Sequence, residues 1–375
     1  MPKTVAYKAE IPHYQLLDEN GKLDTNLARG TLKDEDVVFL YEQMSISRHY
    51  DEIAFKLQRS GRMGTYPQNK GQEAVAGAGL AIKHHAPESW LVPCYRENLA
   101  LFLNGLPMEK ILLHWMGDER GNQIPAGVNI LPISIPIGTH PLHAAGLAWA
   151  AKYRKQQHVA ITFFGDGATS EGDVHEAMNF ASALKLPCIF YCQNNQWAIS
   201  TPRSSQTGSE TFAQKGLAYG LECVQIDGND IFASYKVTKE AITRALKQNK
   251  PTFIEAVTYR LGDHTTADDA RRYRDPKEVE AWVKRDPLIR VRKYMDAKKL
   301  WDDEKQAELE ARAKKIVEEV VRNAEGIATP GKDDIFDYTF EKIEGQLVTQ
   351  RDTMRTNSLG QHPQQETLHS GYQRA

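Results

Sequence analysis

The sequence predicts an α/β protein with a doubly wound, mostly parallel sheet, helices on both faces, and helical N- and C-terminal extensions. Three observations lead there. The run 158–164 is apolar on both faces, as a strand inside a parallel sheet must be. Further strand-like runs at 187–193, 222–227 and 251–259 alternate with helical stretches at 173–185 and 231–247, the rhythm of crossover connections. Third, 375 residues with 41% hydrophobic and 26% charged side chains are enough to bury a substantial core.

The elements follow in order. Residues 1–32 are mixed and polar and read as an N-terminal arm, either wrapping a partner or loose. Thr31 followed by Asp34, Glu35 and Asp36 signals a helix start. Val37, Leu40, Tyr41 and Met44 continue it at helical spacing, and Gly61 to Gly64 breaks it. Residues 71–84 form a helix so rich in Ala and Gly that it must pack closely on a neighbour. Residues 90–93 are extended and lead to Tyr95-Arg96, and 108–116 form an apolar helix. Four Pro and three Gly between 120 and 141 predict a long structured loop. Its apolar residues, Ile130, Leu131, Ile133, Ile135 and Ile137, imply that it crosses the core or lines a site. A helix over 144–153 opens the α/β region. Residues 261–276 are polar without period, and 277–325 are amphipathic and helical. The main domain is expected over 33–345, with a disordered tail over 346–375.

Composition excludes several classes. The 47 basic and 49 acidic residues nearly balance, against a nucleic-acid-binding surface or a polybasic membrane tether. No apolar stretch approaches the roughly 20 residues that span a bilayer, and the first residues lack a signal-peptide core. Cys188 and Cys192 lie in an apolar run and read as buried strand thiols rather than metal or redox groups. A cytoplasmic protein of bacterial type is expected.

The chemistry is concentrated at two strand ends. Gly165-Asp166-Gly167-Ala168-Thr169-Ser170 lies between a strand and a helix, and Asn194-Asn195-Gln196-Trp197 ends the next strand. Asp166 and Asn195 are 29 residues apart, one βαβ crossover, so both return to the carboxyl edge where open α/β sheets bind ligands. A carboxylate, an amide oxygen and backbone carbonyls suit Mg²⁺ or Ca²⁺. Gly165 and Gly167 admit a phosphate close to the backbone, and the helix starting near Ser170 adds its N-terminal amides. The unit reads as a metal–diphosphate site. Neither G-x-G-x-x-G nor the P-loop spacing is present, and His175-Glu176 does not extend to a zinc-protease motif.

This pair of motifs is similar to the thiamine diphosphate-binding motif. With Gly71-Gln72-Glu73-Ala74, Pro93-Cys94-Tyr95-Arg96, Arg120-Gly121-Asn122-Gln123, Asp227-Gly228-Asn229-Asp230 and the Tyr259-Arg260 to His264 segment, the chain resembles the alpha subunit of the decarboxylating component of 2-oxo acid dehydrogenase complexes over about residues 35–345. The resemblance implies the thiamine diphosphate-binding fold. It implies that Asp166, Asn195 and the main-chain oxygen of Trp197 hold Mg²⁺, and that Gly165, Gly167 and Ala168 meet the diphosphate with Tyr95 and Arg96. Ile135 and Ile137 would contact the cofactor rings. His264 would contact the diphosphate and the reacting centre. Thr265 stands where animal relatives carry a regulatory serine; no phosphorylation is inferred.

The implied reaction is oxidative decarboxylation of a small 2-oxo acid, with acyl transfer to a lipoyl acyltransferase core. The glutamate that activates the cofactor belongs to the beta subunit in this family, so a heterotetramer of two alpha and two beta chains is expected. Glu73 and Glu171 are weaker candidates for that glutamate. Pyruvate is the favoured substrate, since residues 61–67 and 129–140 look like bacterial pyruvate-type sequences. A branched-chain 2-oxo acid remains open, although Cys94 and His140 depart from that pattern. His143 reads equally as a pocket or a core residue. Acetoin-type chemistry and a non-catalytic scaffold also remain open.

Overall fold

The computed structural model describes residues 3–337 and 339–359. Its strands are β1 (His13–Tyr14), β2 (Trp90–Val92), β3 (Ala160–Gly165), β4 (Cys188–Asn194), β5 (Trp197–Ala198), β6 (Thr201–Pro202), β7 (Glu222–Asp227) and β8 (Thr252–Val257). Six of them form one sheet in the order β1-β7-β8-β4-β3-β2, with every neighbouring pair parallel. β5 and β6 make a separate small hairpin.

The strands alternate between two cores, which is why their sequences are apolar on both faces. Ile161, Phe163, Ile189 and Tyr191 face one core; Ala160, Phe164, Cys188, Phe190 and Cys192 face the other. Both expected strand thiols, Cys188 and Cys192, are thus buried and free.

Helices α1 (Asp34–Arg59), α2 (Val75–His85), α3 (Asn98–Leu103), α4 (Met108–Trp115), α5 (His140–Tyr153) and α6 (Gly172–Ala183) precede a long helix over Ile231–Gln248. α1 buries Val37, Leu40, Tyr41, Met44, Tyr50, Ala54 and Leu57 at the three-and-four spacing read from the sequence. The small residues of α2 permit close approach: a Cβ on Gly77 would stand 2.4 Å from the Ile231 carbonyl oxygen. The 120–141 loop takes both options the sequence left open. Ile130 is buried and bridges to Leu91, while Ile137 lines the cavity described below. The stretch 277–325 resolves into helices Pro276–Val283, Pro287–Ala297 and Asp303–Glu325.

The N-terminal arm is anchored through its middle. β1 adds an edge strand beside β7, and Leu16 and Leu17 are buried. Asp230 makes the joint. Its Oδ2 accepts from the Leu16 and Leu17 amides at 2.6 and 2.7 Å, while Oδ1 caps the Ile231–Gln248 helix through the Phe232 amide at 2.8 Å.

The chain divides into two units, Met1–Glu325 and Gly326–Ala375. Within the second, residues 346–359 form a helix, Gln346–Leu359, where the sequence suggested a tail without structure. The remainder of that expected tail lies outside the described residues. No helix among the described residues is long and apolar enough to cross a membrane.

Candidate active site

β3 ends at Gly165 and runs into a tight turn, Asp166–Ser170. Its neighbour β4 pairs Gln193 with Gly165 and ends one residue before Asn195. Asp166 is fully buried. Its Oδ1 accepts from the Asn195 amide at 3.3 Å and its Oδ2 from Gln206 Nε2 at 2.6 Å. Burial raises its carboxyl above the ordinary range. Asn195 accepts from the Trp197 amide at 3.2 Å and donates to Gln72 Oε1 at 3.1 Å. Gln196 and Ile199 adopt positive φ, at 73° and 55°, to fold the β5–β6 hairpin back over this edge. Gly167 is required beneath it, because a Cβ there would stand 2.8 Å from Ala198 Cβ.

The opposite wall is cationic. Arg96 is buried; its Nη1 donates to the Gln68 carbonyl at 2.5 Å, and its Nη2 donates to His264 Nδ1 at 3.0 Å and to the His264 carbonyl. Arg260, also buried, places Nη1 at 3.2 Å from the same His264 nitrogen. It donates through Nη2 to the Ile199 carbonyl at 2.8 Å and Tyr273 Oη at 2.9 Å. A guanidinium cannot accept, so Nδ1 of His264 is the acceptor and its proton sits on Nε2. Burial first, then the charges of Arg96 and Arg260, hold this imidazole down at about 3. Burial and the neighbouring Arg96 likewise lower Arg260 to about 10. Asp268 accepts from the His264 amide at 2.9 Å and from the Tyr273 hydroxyl, which fixes the loop from behind. Among the described residues, neither Arg96 nor Arg260 has a carboxylate within ion-pair distance.

The two walls enclose a cavity of about 370 Å³. Of the residues singled out from the sequence, Tyr95, Arg96, Ile137, Gly165, Asp166, Gly167, Ala168, Asn195, Trp197 and His264 all line it. Ile135 does not; it is 48% exposed. The turn closed by Ser134 Oγ on the Pro136 carbonyl, 2.9 Å, carries the intervening Ile135 outward. His140 is a buried core residue, its Nε2 2.7 Å from the Phe163 carbonyl oxygen and its Nδ1 without a hydrogen-bond partner, and His143 is exposed. Neither candidate glutamate lines the cavity. Glu73 is held by Arg48 and by the Gly71 amide, and Glu171 is exposed. Thr265 accepts from the Ala267 amide at 3.3 Å.

Four residues here had no assigned role in the sequence. Gln72 and Arg260 stood inside motifs already noted, so their signal was present. Glu97 and Gln206 stood in no motif. Of these, Gln72, Glu97 and Gln206 line the cavity.

The residues fit a metal-bound diphosphate. Gln206, which lines the cavity, has its Oε1 buried without a protein partner, a hard acceptor on the residue that binds Asp166. The set of Asp166 carboxylate, amide oxygens and the Trp197 carbonyl is the chemistry of a hard cation. No group of three or more His, Cys, Asp or Glu among the described residues could form a softer site.

Known proteins resemble the chain over most of its length. The model of the family described as dehydrogenase E1 component matches residues 41–331. The chain is 42% identical over 338 residues to the pyruvate dehydrogenase E1 component subunit alpha of Staphylococcus aureus (strain Mu50), covering 90% of each chain. It is 41% identical over 325 residues to the 3-methyl-2-oxobutanoate dehydrogenase subunit alpha of Mycobacterium tuberculosis (strain H37Rv), covering 86% of this chain and 88% of the relative.

Proposed function

The chain belongs to the dehydrogenase E1 component family, and on that premise we propose that it is the alpha subunit of a 2-oxo acid dehydrogenase acting on pyruvate. One observation carries the site assignment. Arg96, buried and joined by Arg260 at His264, lines the cavity with Asp166, Asn195 and Gln206, and neither guanidinium has a carboxylate within ion-pair distance among the described residues. Buried charge without a protein partner is costly, and an anionic ligand supplies the missing one.

Thiamine diphosphate with Mg²⁺ fits that ligand. Asp166, Asn195 and the Trp197 carbonyl would hold the metal. Gly165, Gly167 and Ala168 would meet the diphosphate with backbone, and Tyr95, Arg96 and His264 would close on it from the other side. Ile137 would give the rings an apolar wall that excludes water. When bound, the cofactor supplies the electron sink for loss of carbon dioxide. His264 lines the cavity and carries its proton on Nε2, so it would serve as a hydrogen-bond donor there, but at neutral pH it holds no labile second proton.

The partner requirement belongs to the same reading. Glu97 is the cavity's glutamate, and it sits beside the backbone of Arg96 rather than on the apolar wall of Ile137. The activating glutamate is therefore assigned to a beta subunit, in a cytoplasmic heterotetramer of two alpha and two beta chains that passes its acyl group to a lipoyl acyltransferase core. A branched-chain substrate is the second reading, favoured by the nearly equal identity to the 3-methyl-2-oxobutanoate relative.

The test is turnover with an artificial electron acceptor, using the chain reconstituted with its beta subunit. Pyruvate and 3-methyl-2-oxobutanoate are compared, each with and without cofactor and Mg²⁺. Cofactor-dependent turnover, faster with pyruvate, is expected, and none from the isolated chain. Preference for the branched acid selects the second reading. Turnover by the isolated chain removes the beta requirement, and an inactive, well-assembled tetramer leaves a scaffold.

A further inference from the structure

Glu97 is a carboxyl that the proposed reaction does not use. It follows Arg96 and is 1% exposed, yet it lines the cavity. Its Oε2 accepts from the Arg96 amide at 3.0 Å and from Gln193 Nε2 at 3.4 Å. Its Oε1 is buried with no protein partner. Gln193 pairs in register with Gly165, one residue before Asp166. A Cβ on Gly165 would meet nothing within 4 Å, so the space above that strand end is left to a ligand. Glu97 thus stands on the wall assigned to the diphosphate, with one oxygen free.

We infer that Glu97 is a neutral carboxylic acid whose free oxygen donates a hydrogen bond to the anionic end of the bound cofactor, so that cofactor binding fixes a proton on it. The inference rests on the thiamine diphosphate reading of the site. An ionised carboxylate has no hydrogen to offer and would repel a diphosphate, whereas the acid form is a donor to it. The proton balance is simple. Where free Glu97 is ionised, binding takes up one proton from solvent and places it between Oε1 and the ligand.

The surroundings support this. Burial pushes the Glu97 carboxyl up to about 8, outweighing the backbone hydrogen bonds and the Arg96 charge that lower it. The titratable groups nearest it on its own segment are Cys94, whose thiol burial pushes well up, Tyr95, also raised, and the cationic Arg96. From the sheet edge it faces Gln193, which does not titrate. Asp166 and His264 share the cavity. His264 stays neutral throughout the tested range, and Asp166, on the side assigned to the metal, is not among the groups that shift Glu97.

The experiment is calorimetric titration of the reconstituted alpha–beta enzyme with thiamine diphosphate at saturating Mg²⁺. It is run between pH 7 and 9 in two buffers of different ionisation enthalpy, for wild type and Glu97→Gln. For wild type, proton uptake should approach one per site at pH 9. The Kd should rise toward tenfold per pH unit above about 8, the limiting slope of a one-proton linkage. Glu97→Gln keeps a donor in place; it should bind with a Kd that stays flat over this range and without the uptake. Should the variant fail to assemble, the wild-type buffer dependence decides alone. Wild-type binding with no proton uptake at pH 9, or an uptake that Glu97→Gln retains, overturns the inference while leaving the cofactor reading intact. No binding at any pH overturns that reading and the inference with it.

Discussion

Arg96 grips His264 at two atoms, donating through one guanidinium nitrogen to both the ring Nδ1, at 3.0 Å, and the main-chain carbonyl of the same residue. The contact joins the segment after β2 to a loop about 170 positions later in the chain, and it fixes both the ring orientation and its tautomer. With Arg260 on the same nitrogen, the imidazole cannot take a second proton without facing two cations.

Histidine 264 should therefore not titrate in the physiological range. Its pKa is lowered from 6.5 to about 3 in the folded chain. The unfolded chain binds that proton more readily, so the stability linked to His264 is fully present above about pH 6.5. It is lost as pH falls toward 3. Nitrogen NMR of the labelled protein should show the neutral Nε2–H tautomer unchanged from pH 8 to 5. An imidazolium signal at pH 6 would contradict the arrangement.

Replacing the fork by a point charge tests the cationic wall. Arg96→Lys keeps the charge but cannot reach the Gln68 carbonyl, His264 Nδ1 and the His264 carbonyl together. We expect thiamine diphosphate to bind the reconstituted enzyme about tenfold or more weakly, roughly 1.4 kcal/mol. The melting temperature should change little. Fluorescence titration reads the first and calorimetry the second; unchanged affinity would remove Arg96 from the ligand wall.

Much of this architecture was legible from residue pattern. The buried strands 158–164 and 187–193 carry their apolar residues on both faces, and the Ala- and Gly-rich stretch after Gly71 declared the close helix contact that Gly77 makes with Ile231. Asp166 and Asn195 were placed together by one crossover length. What stayed hidden is long-range. β1 is two residues of a polar arm, and its pairing with β7 depends on Asp230 receiving the Leu16 and Leu17 amides, which no local periodicity encodes. Gln206 reaches Asp166 from 40 positions away by the fold of a short hairpin. Ile135 and Ile137 look equivalent in sequence, and only the Ser134–Pro136 turn separates an exposed side chain from a cavity wall.

Asp230 should matter as much for stability as any core residue. Its two oxygens serve four backbone amides, those of Leu16, Leu17, Phe232 and Ala233. Asp230→Ala would strand the Leu16 and Leu17 donors in a buried place and remove a helix cap. The expected loss is about 3 kcal/mol, from about 1 for the cap and the rest for unsatisfied amides. Urea unfolding of the full chain measures it. Faster proteolysis near residues 10–25 should accompany the loss, because the arm is released first.

Asp166 should show that the site holds its ligand at the expense of the ligand-free fold. The carboxylate is fully buried, with no cation within ion-pair distance among the described residues, and its hydrogen-bond partners are neutral. Without a metal, its charge opposes folding, which is why burial raises its carboxyl. Asp166→Asn is isosteric and keeps an oxygen for the Asn195 amide. Its new NH₂ would face Gln206 Nε2, so Gln206 must flip to present Oε1 and give up the bond from Nε2 to the Thr201 carbonyl, a loss of about 1 kcal/mol that the relief of a buried charge exceeds. The ligand-free variant should therefore melt at the wild-type temperature or above it at pH 8. On the proposed reading the same change removes the anionic ligand of a hard cation, for which charge dominates affinity. Mg²⁺-dependent binding of thiamine diphosphate should fall by about a hundredfold or more, roughly 2.7 kcal/mol. Scanning calorimetry and titration on the same preparation separate the two effects. A variant that loses stability in step with binding would mean that Asp166 is a structural carboxylate, and that the cavity's oxygen wall is not where the metal sits.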